Sequence, residues 1–69
     1  MTRDQFSALA QLMRLRESPS REALRLVLCD DKTPKEAEAI TGTALANVYR
    51  QQASARRVIE LASIIHSAA

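Results

Sequence analysis

"TPKEAEAITGTALANVYRQQ", residues 33–52, contains the only glycine of the chain and one of its two prolines. Thr33 and Glu36 stand three residues apart at its start, which is the spacing of a capping box. In that motif the threonine hydroxyl accepts a hydrogen bond from the glutamate amide, and the carboxylate accepts one from the threonine amide. The pattern predicts that a helix starts at Thr33.

Gly42 marks the end of this helix, which is expected to be only two turns long. Glycine readily adopts the left-handed conformation that follows many helix ends. Thr43 is then expected to cap a new segment that runs toward His66, as one helix or as two. Two helices that meet at a glycine corner, the first of them short, predict a helix-turn-helix at about residues 33–54.

The remainder of the chain also has a helical composition, because alanine, leucine, arginine and glutamate are common and no strand-like alternation occurs. Thr2 is expected to cap a first helix that extends to Arg16. Ser18, or Ser20 in a slightly shorter version, is expected to cap a second helix. The sequence therefore predicts an all-α fold, a small bundle of four to five helices that forms a single domain over residues 1–69.

The small size of the domain makes self-association attractive. A chain of 69 residues has a small core, and domains of this size are usually supported by a disulfide, a metal or a partner. Cys29 and His66 are the only cysteine and the only histidine, so an intramolecular disulfide is impossible and no metal site is expected. No base is spaced near Cys29 and no phosphate-binding glycine loop occurs. We therefore expect neither a cofactor nor an enzyme.

Charge and hydropathy give only coarse information about location and partners. The N-terminus is mixed and polar, and no apolar run is long enough to span a bilayer, so neither a signal peptide nor a membrane segment is expected. A single free thiol fits a reducing cytoplasm. The formal net charge of +2 is too small to identify a partner. These features predict a cytoplasmic protein without a membrane partner.

The helix after Gly42 has two distinct faces when its residues are stepped by roughly 100° each. With Val48 taken as the inward residue, the opposite side and its flanks carry Thr43, Ala46, Asn47, Arg50, Ser54 and Arg57. Asn47 and Arg50 suit the major groove of DNA, because asparagine pairs bidentately with adenine and arginine with guanine. The side chains expected to contact DNA phosphates are Thr43, Lys35, Tyr49, Arg56, Arg57 and Arg21.

A solvated helix face is the other interpretation of this pattern, because every surface helix exposes polar residues. Two residues also depart from the usual helix-turn-helix pattern. Glu38 lies where a small residue is preferred, and Gln51 lies where an aliphatic residue is common. The glycine corner, the capping box and the placement of Val48 six residues after Gly42 favour base recognition.

Two short motifs resemble the TrfB/KorA-like plasmid repressors. "RLVLCD", residues 25–30, is similar to that family's Arg-x-Val-Leu-x-Asp segment, and "ITGTALANV", residues 40–48, is similar to its apolar-x-Gly corner and the valine beyond it. The similarity covers about residues 21–57. Where the family often has Asp-Gly, this chain has Asp30-Asp31, which is expected to form the turn after the second helix.

The resemblance implies a helix-turn-helix protein that silences plasmid promoters. The longer members of the family dimerise through their C-terminal region, and this chain looks truncated there in comparison. By position, the recognition-helix role of the family carries over to Ala44, Ala46, Asn47 and Arg50. The side chains at these positions differ from those of the family. The operator sequence is therefore not implied.

The most apolar stretch of the chain is a C-terminal helix at about residues 55–67. On the helical wheel its apolar residues occupy two faces, and a single small core needs only one of them. Either the helix breaks near Ser54, or its distal half presents a second apolar surface. The first helix could cover that surface within one chain. The other possibility is a homodimer, with an interface formed by Val58, Leu61, Ala62 and Ile65.

Together these patterns predict a sequence-specific DNA-binding transcriptional repressor, encoded by a plasmid or a phage. Such repressors commonly bind palindromic double-stranded operators as homodimers, with half-sites about 34 Å apart. The alternative is a small adaptor or inhibitor that uses the apolar helix at residues 58–65 to bind a host protein. An antitoxin-like protein would do both. The sequence leaves open the operator, and whether transcription is repressed or activated.

Overall fold

The computed structural model describes residues 1–68, and these form four α-helices. In chain order they are α1 (Arg3–Leu12), α2 (Pro19–Cys29), α3 (Pro34–Thr41) and α4 (Leu45–Ala68). No strand occurs in this part of the chain. The prediction of an all-α fold, a small helical bundle, is confirmed.

Helix α1 begins with a capping box that the sequence analysis did not identify. The Thr2 hydroxyl accepts from the Gln5 amide at 3.1 Å, and the Gln5 side chain accepts from the Thr2 amide at 2.8 Å. Threonine at the N-cap was expected. Glutamine takes the part that glutamate takes at the start of α3, but it carries no charge.

Helix α1 ends at Leu12, four residues before the predicted end at Arg16. Arg14 has a φ of 54°, the left-handed conformation that follows many helix ends. The Leu15 amide then donates to the Ala10 carbonyl at 2.9 Å, as in a Schellman motif. Leu15 packs against the core. The early end is explained by this return of Leu15 to the core, which no local breaker residue signals.

Helix α2 begins after Ser18, the first of the two predicted N-cap residues. Ser18 is the N-cap, and its hydroxyl accepts from the Arg21 amide at 3.2 Å. Pro19 occupies the first helical position, where its missing N–H costs no hydrogen bond. The shorter version, capped by Ser20, is not the one adopted.

The Asp30-Asp31 pair forms the turn after α2, as predicted. Asp31 has a φ of 55°, which is unusual for a residue other than glycine, although aspartate tolerates it better than most. The amides of Asp30 and Lys32 both donate to the Leu26 carbonyl at 3.1 Å. An aspartate therefore takes the left-handed conformation at the second position of the turn.

The capping box and the glycine corner of α3 are both confirmed. The Thr33 hydroxyl accepts from the Glu36 amide at 3.1 Å, and the Glu36 carboxylate accepts from the Thr33 amide at 3.0 Å. Gly42 has φ 75° and ψ 5°, and its amide donates to the Glu38 carbonyl at 2.8 Å. The chain turns at its only glycine, because this left-handed conformation is strained for residues with a side chain.

The predicted role of Thr43 as the cap of α4 is wrong. The helix begins two residues later, at Leu45. Thr43 is 6% exposed, and its hydroxyl accepts from the Thr41 hydroxyl at 3.1 Å. The Leu45 amide donates instead to the Glu38 carboxylate at 2.9 Å. Helix α3 therefore caps α4 across the corner, and Thr43 faces inward.

Helix α4 is one continuous helix of 24 residues, with no break near Ser54. At 1.5 Å per residue it is about 36 Å long, which accounts for most of the 41 Å length of the molecule. The C-terminal helix at about residues 55–67 is therefore the distal half of the helix that follows Gly42. None of the helices within residues 1–68 is both long enough and apolar enough to cross a membrane.

The core consists of two clusters that share α2. The first joins α1, α2 and the middle of α4 through Phe6, Leu9, Ala10, Leu24 and Ala55. The second joins α2, α3 and the start of α4 through Ala23, Leu26, Ala37 and Val48. Val48 is 1% exposed, so the residue predicted to anchor the helix after Gly42 does so. Cys29 packs against the first cluster as a partly buried residue.

Candidate nucleic-acid interface

The outer side of α4 is exposed, as the helical wheel predicted. Ala46, Asn47, Arg50 and Arg57 are all exposed, while Val48 and Ala55 on the opposite side are buried. Ala44, which precedes the first residue of α4, is also exposed. Of the four residues assigned to base reading, Ala46, Asn47 and Arg50 therefore share the exposed side of the proximal half of α4, whereas Ala44 lies before the helix and about 40° from Val48 on the wheel. We call Ala46, Asn47, Arg50 and Arg57 the outer face of α4.

The first amide of α4 is already bonded to the protein itself. Free amides at a helix start attract anions, but the Leu45 amide already donates to the Glu38 carboxylate. Glu38 also places a negative charge at this helix end. Thr43 was expected to contact a phosphate here and is buried instead. The start of α4 is consequently a poor place for a DNA phosphate.

Glu38 and Gln51, the two departures from the usual pattern, have different outcomes. Glu38 has the structural role of capping α4. Gln51 is partly buried, and its Oε1 atom has no hydrogen-bond partner within the described residues. It lines a hollow beside Arg50. The Oε1 atom is itself buried, so Gln51 is an unsatisfied polar group beneath the surface near Arg50.

Most of the other predicted phosphate contacts are exposed. Lys35, Tyr49, Arg56 and Arg57 all reach the surface. Tyr49 and Arg56 line a common hollow with Gln52 on one flank of α4. They are seven residues apart, which places them about 20° apart around the helix. This pair forms a flank beside the outer face.

Arg21 lies elsewhere. Its guanidinium stacks 5.9 Å from the centre of the Phe6 ring, in a hollow formed by α1, the start of α2 and the loop between them. The residues that line this hollow include no member of α3 or α4. The structure therefore does not bring Arg21 together with the outer face, and Arg21 is not part of the candidate interface.

The loop between α1 and α2 approaches α4, which the sequence analysis missed. Met13 and Leu15 line the hollow that also contains Arg50 and Ser54. Arg14 and Arg16 alternate with these two apolar residues and are exposed. Two arginines flanking Leu15 were visible in the sequence, but the contact of this loop with α4 depends on the tertiary fold.

The first and last residues of the "RLVLCD" motif form an ion pair. Arg25 Nη1 lies 3.1 Å from Asp30 Oδ2, and Arg25 Nε donates to Glu22 Oε1 at 3.0 Å. The hydrogen bond from Arg25 lowers the pKa of the Glu22 carboxyl and raises that of the arginine. This motif therefore stabilises the end of α2, and Arg25 is occupied by carboxylates of its own helix and turn.

The distal half of α4 carries an exposed apolar surface. Leu61, Ile64 and Ile65 are exposed, whereas Val58 is partly buried against the first cluster. An open groove runs between this part of α4 and α1, and its apolar wall includes Met1, Ala8, Leu12, Val58, Ile59 and Ala62. The possibility that the first helix covers the distal apolar residues is therefore wrong, because α1 faces Ile59 and Ala62 across the groove but leaves Leu61, Ile64 and Ile65 exposed.

A comparison with protein-family models, curated proteins and solved structures finds no match to this chain. The resemblance to the TrfB/KorA-like repressors thus depends on the two sequence motifs alone. Of these, the glycine corner at Gly42 has the expected geometry.

The chemistry available at the outer face of α4 is that of hydrogen bonding and charge. Asn47 supplies an amide donor and acceptor, and Arg50 and Arg57 supply guanidinium donors. Within residues 1–68, no group of three or more histidine, cysteine, aspartate or glutamate side chains is placed to hold a metal ion. The surface is suited to recognising an anion or a base edge.

Proposed function

We propose that this chain is a sequence-specific DNA-binding transcriptional repressor, plasmid- or phage-encoded, that acts on a palindromic operator as a homodimer in the cytoplasm. The observation that supports it best is the exposure of Asn47 and Arg50 on a helix whose opposite side is held in the core by Val48. Small side chains at Ala44 and Ala46 allow the helix to approach a major groove closely. Asn47 then reads adenine and Arg50 reads guanine.

Contacts with the DNA backbone come from the charged residues around this face. Lys35, Tyr49, Arg56 and Arg57 are exposed, and Arg14 and Arg16 join them from the loop beside Arg50. The ion pairs within the described part of the chain involve only Arg25. The lysine and arginines of this set therefore form no ion pair within the described residues, and their side chains can bind phosphates. Such contacts position the protein and carry no sequence information.

The dimer is proposed from the exposed apolar surface of α4. Burying one aliphatic side chain stabilises a contact by about 1.5–3 kcal/mol before ordering costs. A domain of this size has a total stability of only about 5–15 kcal/mol. Removing the exposed parts of Leu61 and Ile65 from water would therefore be a useful gain, with a smaller one from Val58, which is already partly buried.

A gel-shift assay with the DNA upstream of the chain's own gene tests the proposed function. We expect a complex that survives an excess of random duplex DNA. If an excess of random DNA displaces all of the complex, binding is not sequence-specific and the proposed repressor function is contradicted. If no duplex is retarded even at low salt, the chain does not bind DNA and the proposal is wrong.

The exposed apolar surface of α4 also favours the alternative, an adaptor or inhibitor that binds a host protein through residues 58–65. The salt dependence of the binding affinity distinguishes the two functions. Binding through phosphates weakens steeply as salt rises, because condensed counterions are released. An apolar helix contact changes little with salt. An antitoxin-like protein would show both behaviours with its two ligands.

A further inference from the structure

The distal half of α4 carries a wide apolar surface, and its central stripe consists of Val58, Leu61, Ala62 and Ile65, with the exposed Ile59 and Ile64 on its two sides. Stepped at 100° per residue, the four residues of the stripe fall within about 100° of the helix circumference. Leu61 is 45% and Ile65 71% exposed. The stripe continues beyond the end of the bundle, since Val58 is the last residue of α4 packed against the core cluster.

The spacing of this stripe is symmetric. Its residues stand at intervals of three, one and three, so its midpoint lies between Leu61 and Ala62. We infer that a second copy of this chain docks on the stripe in antiparallel orientation, with the two-fold axis at that midpoint. Val58 then lies opposite the partner's Ile65, and Leu61 opposite the partner's Ala62. Each large side chain at the centre meets a small one, which is the arrangement that lets two helices pack closely.

The length of α4 agrees with this arrangement. Arg50 lies 11 residues before Leu61 and 12 before Ala62, which is about 17 Å along the helix axis from the midpoint. The two-fold axis doubles this to about 34 Å between the two Arg50 positions. Half-sites one turn of DNA apart are separated by about 34–36 Å. This step rests on the proposed function, whereas the stripe itself favours the antiparallel pair only through the meeting of Leu61 with the small Ala62.

Orientation of the outer faces is also consistent. The centre of the stripe lies about 70° around the helix from Arg50. Two helices placed side by side through the stripe therefore direct Ala46, Arg50 and Arg57 of both copies to one side, because a two-fold axis perpendicular to the helices preserves that direction. Asn47 lies about 10° from the centre of the stripe and points along the line between the two helices. A parallel pair would instead place the two Arg50 positions only about 8–10 Å apart, the usual distance between packed helices. That separation is too short for successive major grooves.

Disulfide cross-linking distinguishes these arrangements, because a disulfide requires Cβ atoms about 3.5–4.5 Å apart. In a Cys29→Ser background, Val58→Cys and Ile65→Cys are prepared as two separate variants. Each is oxidised alone and as an equal mixture, and the products are identified by mass spectrometry. Glu60→Cys, on the polar side of α4, is the matched control.

We expect the mixture to give mainly the mixed dimer, with little cross-linking of either variant alone. In the antiparallel pair, each cysteine is about 10 Å along the axis from its own copy in the partner. Efficient cross-linking of each variant alone would show a parallel pair and overturn the inference. A lack of cross-linking in every sample would also overturn the inference, because a second copy would then not bind the stripe. Cross-linking of Glu60→Cys at the same rate would show that the products are random collisions.

A second measurement protects the test against variants that fail to fold. Sedimentation of the unmodified chain over a range of concentrations must reveal a dimer, and a monomer at every concentration overturns the inference. The two proposals fail separately. An antiparallel dimer that binds no duplex DNA would contradict the repressor function and support the dimer interface. A monomer that binds DNA would contradict the interface and support DNA binding.

Discussion

The carboxylate of Glu38 accepts a hydrogen bond from the backbone amide of Leu45 at 2.9 Å. This bond joins α3 to the first residue of α4 across the glycine corner, over seven residues of sequence. It satisfies an amide that has no partner inside its own helix, and it places a negative charge at the positive end of the helix dipole. The angle between α3 and α4 is thereby fixed by a side chain as well as by Gly42.

Replacement of Glu38 by alanine should destabilise the fold. Loss of a helix cap typically costs about 0.5–2 kcal/mol, and hydrogen bonds to charged groups lie in the upper part of that range. We expect a loss of about 1–2 kcal/mol, measured as the free energy of unfolding in urea. Glu60→Ala, an exposed glutamate on α4, is the control and should change stability by less than about 0.5 kcal/mol. Equal effects of the two substitutions would show that the Glu38–Leu45 bond does not hold α4.

The capping boxes of α1 and α3 should respond differently to pH. Hydrogen bonds from Thr33, first from its backbone amide, lower the pKa of the Glu36 carboxyl. A lowered pKa in the folded state gives stability that is present above the unfolded value of about 4.3 and is lost as pH falls through the folded pKa. Glu36→Gln keeps the acceptor without the charge, so it should reduce the loss of stability below about pH 4.3.

The box of α1 supplies the matched control, because it has the neutral Gln5 at the same position. Gln5→Glu should introduce an additional acid-sensitive contribution to stability. Urea unfolding at several pH values measures both effects. An unchanged pH profile for both variants would show that the charge of the third residue does not matter to these caps.

The parts of the fold that sequence analysis predicted are those determined by local chemistry. Caps at Ser18 and Thr33 and the corner at Gly42 each depend on residues within one turn, and all three are confirmed. The outer face of α4 followed from helical periodicity and one buried anchor, Val48. These features required no knowledge of distant parts of the chain.

The incorrect predictions involve contacts that the local sequence does not contain. Thr43 has the composition of a cap, but Glu38 reaches the helix end from the preceding helix and displaces it. Helix α1 ends early at a non-glycine residue, Arg14, because Leu15 returns to the core. The approach of this loop to Arg50 followed from that same tertiary contact. Only the packed structure reveals these relationships.

Arg50→Ala should reduce affinity selectively. A bidentate arginine–guanine contact contributes about 1–3 kcal/mol to discrimination, so we expect a loss of that size at the cognate operator and little change with random DNA. Arg57→Gln is the comparison, because a phosphate contact weakens binding to both DNAs equally. Titrations with the two duplexes at one salt concentration measure the difference. Equal losses for Arg50→Ala would reassign this residue to the DNA backbone.

The loop arginines should contribute to affinity without contributing to specificity. Arg14→Gln and Arg16→Gln together should reduce the slope of log affinity against log salt by about 1.8, if each side chain neutralises one phosphate. Arg3→Gln is the control, because Arg3 lines the hollow between α1 and α2 that contains no residue of α4. A slope identical to that of the unmodified chain would exclude the loop from the DNA contact.

Leu61→Glu should separate the two copies of the chain. The substitution places a charge at the centre of the exposed stripe, where pairing would bury it without a partner, and a buried unpaired charge is strongly unfavourable. Because Leu61 is 45% exposed in the single chain, the monomer itself should remain folded, as circular dichroism would verify. We expect sedimentation as a monomer and weakened operator binding, since each monomer then reads one half-site alone. An unchanged sedimentation profile would contradict the dimer. A monomer that binds the operator as tightly as the unmodified chain would show that pairing is not needed for DNA recognition.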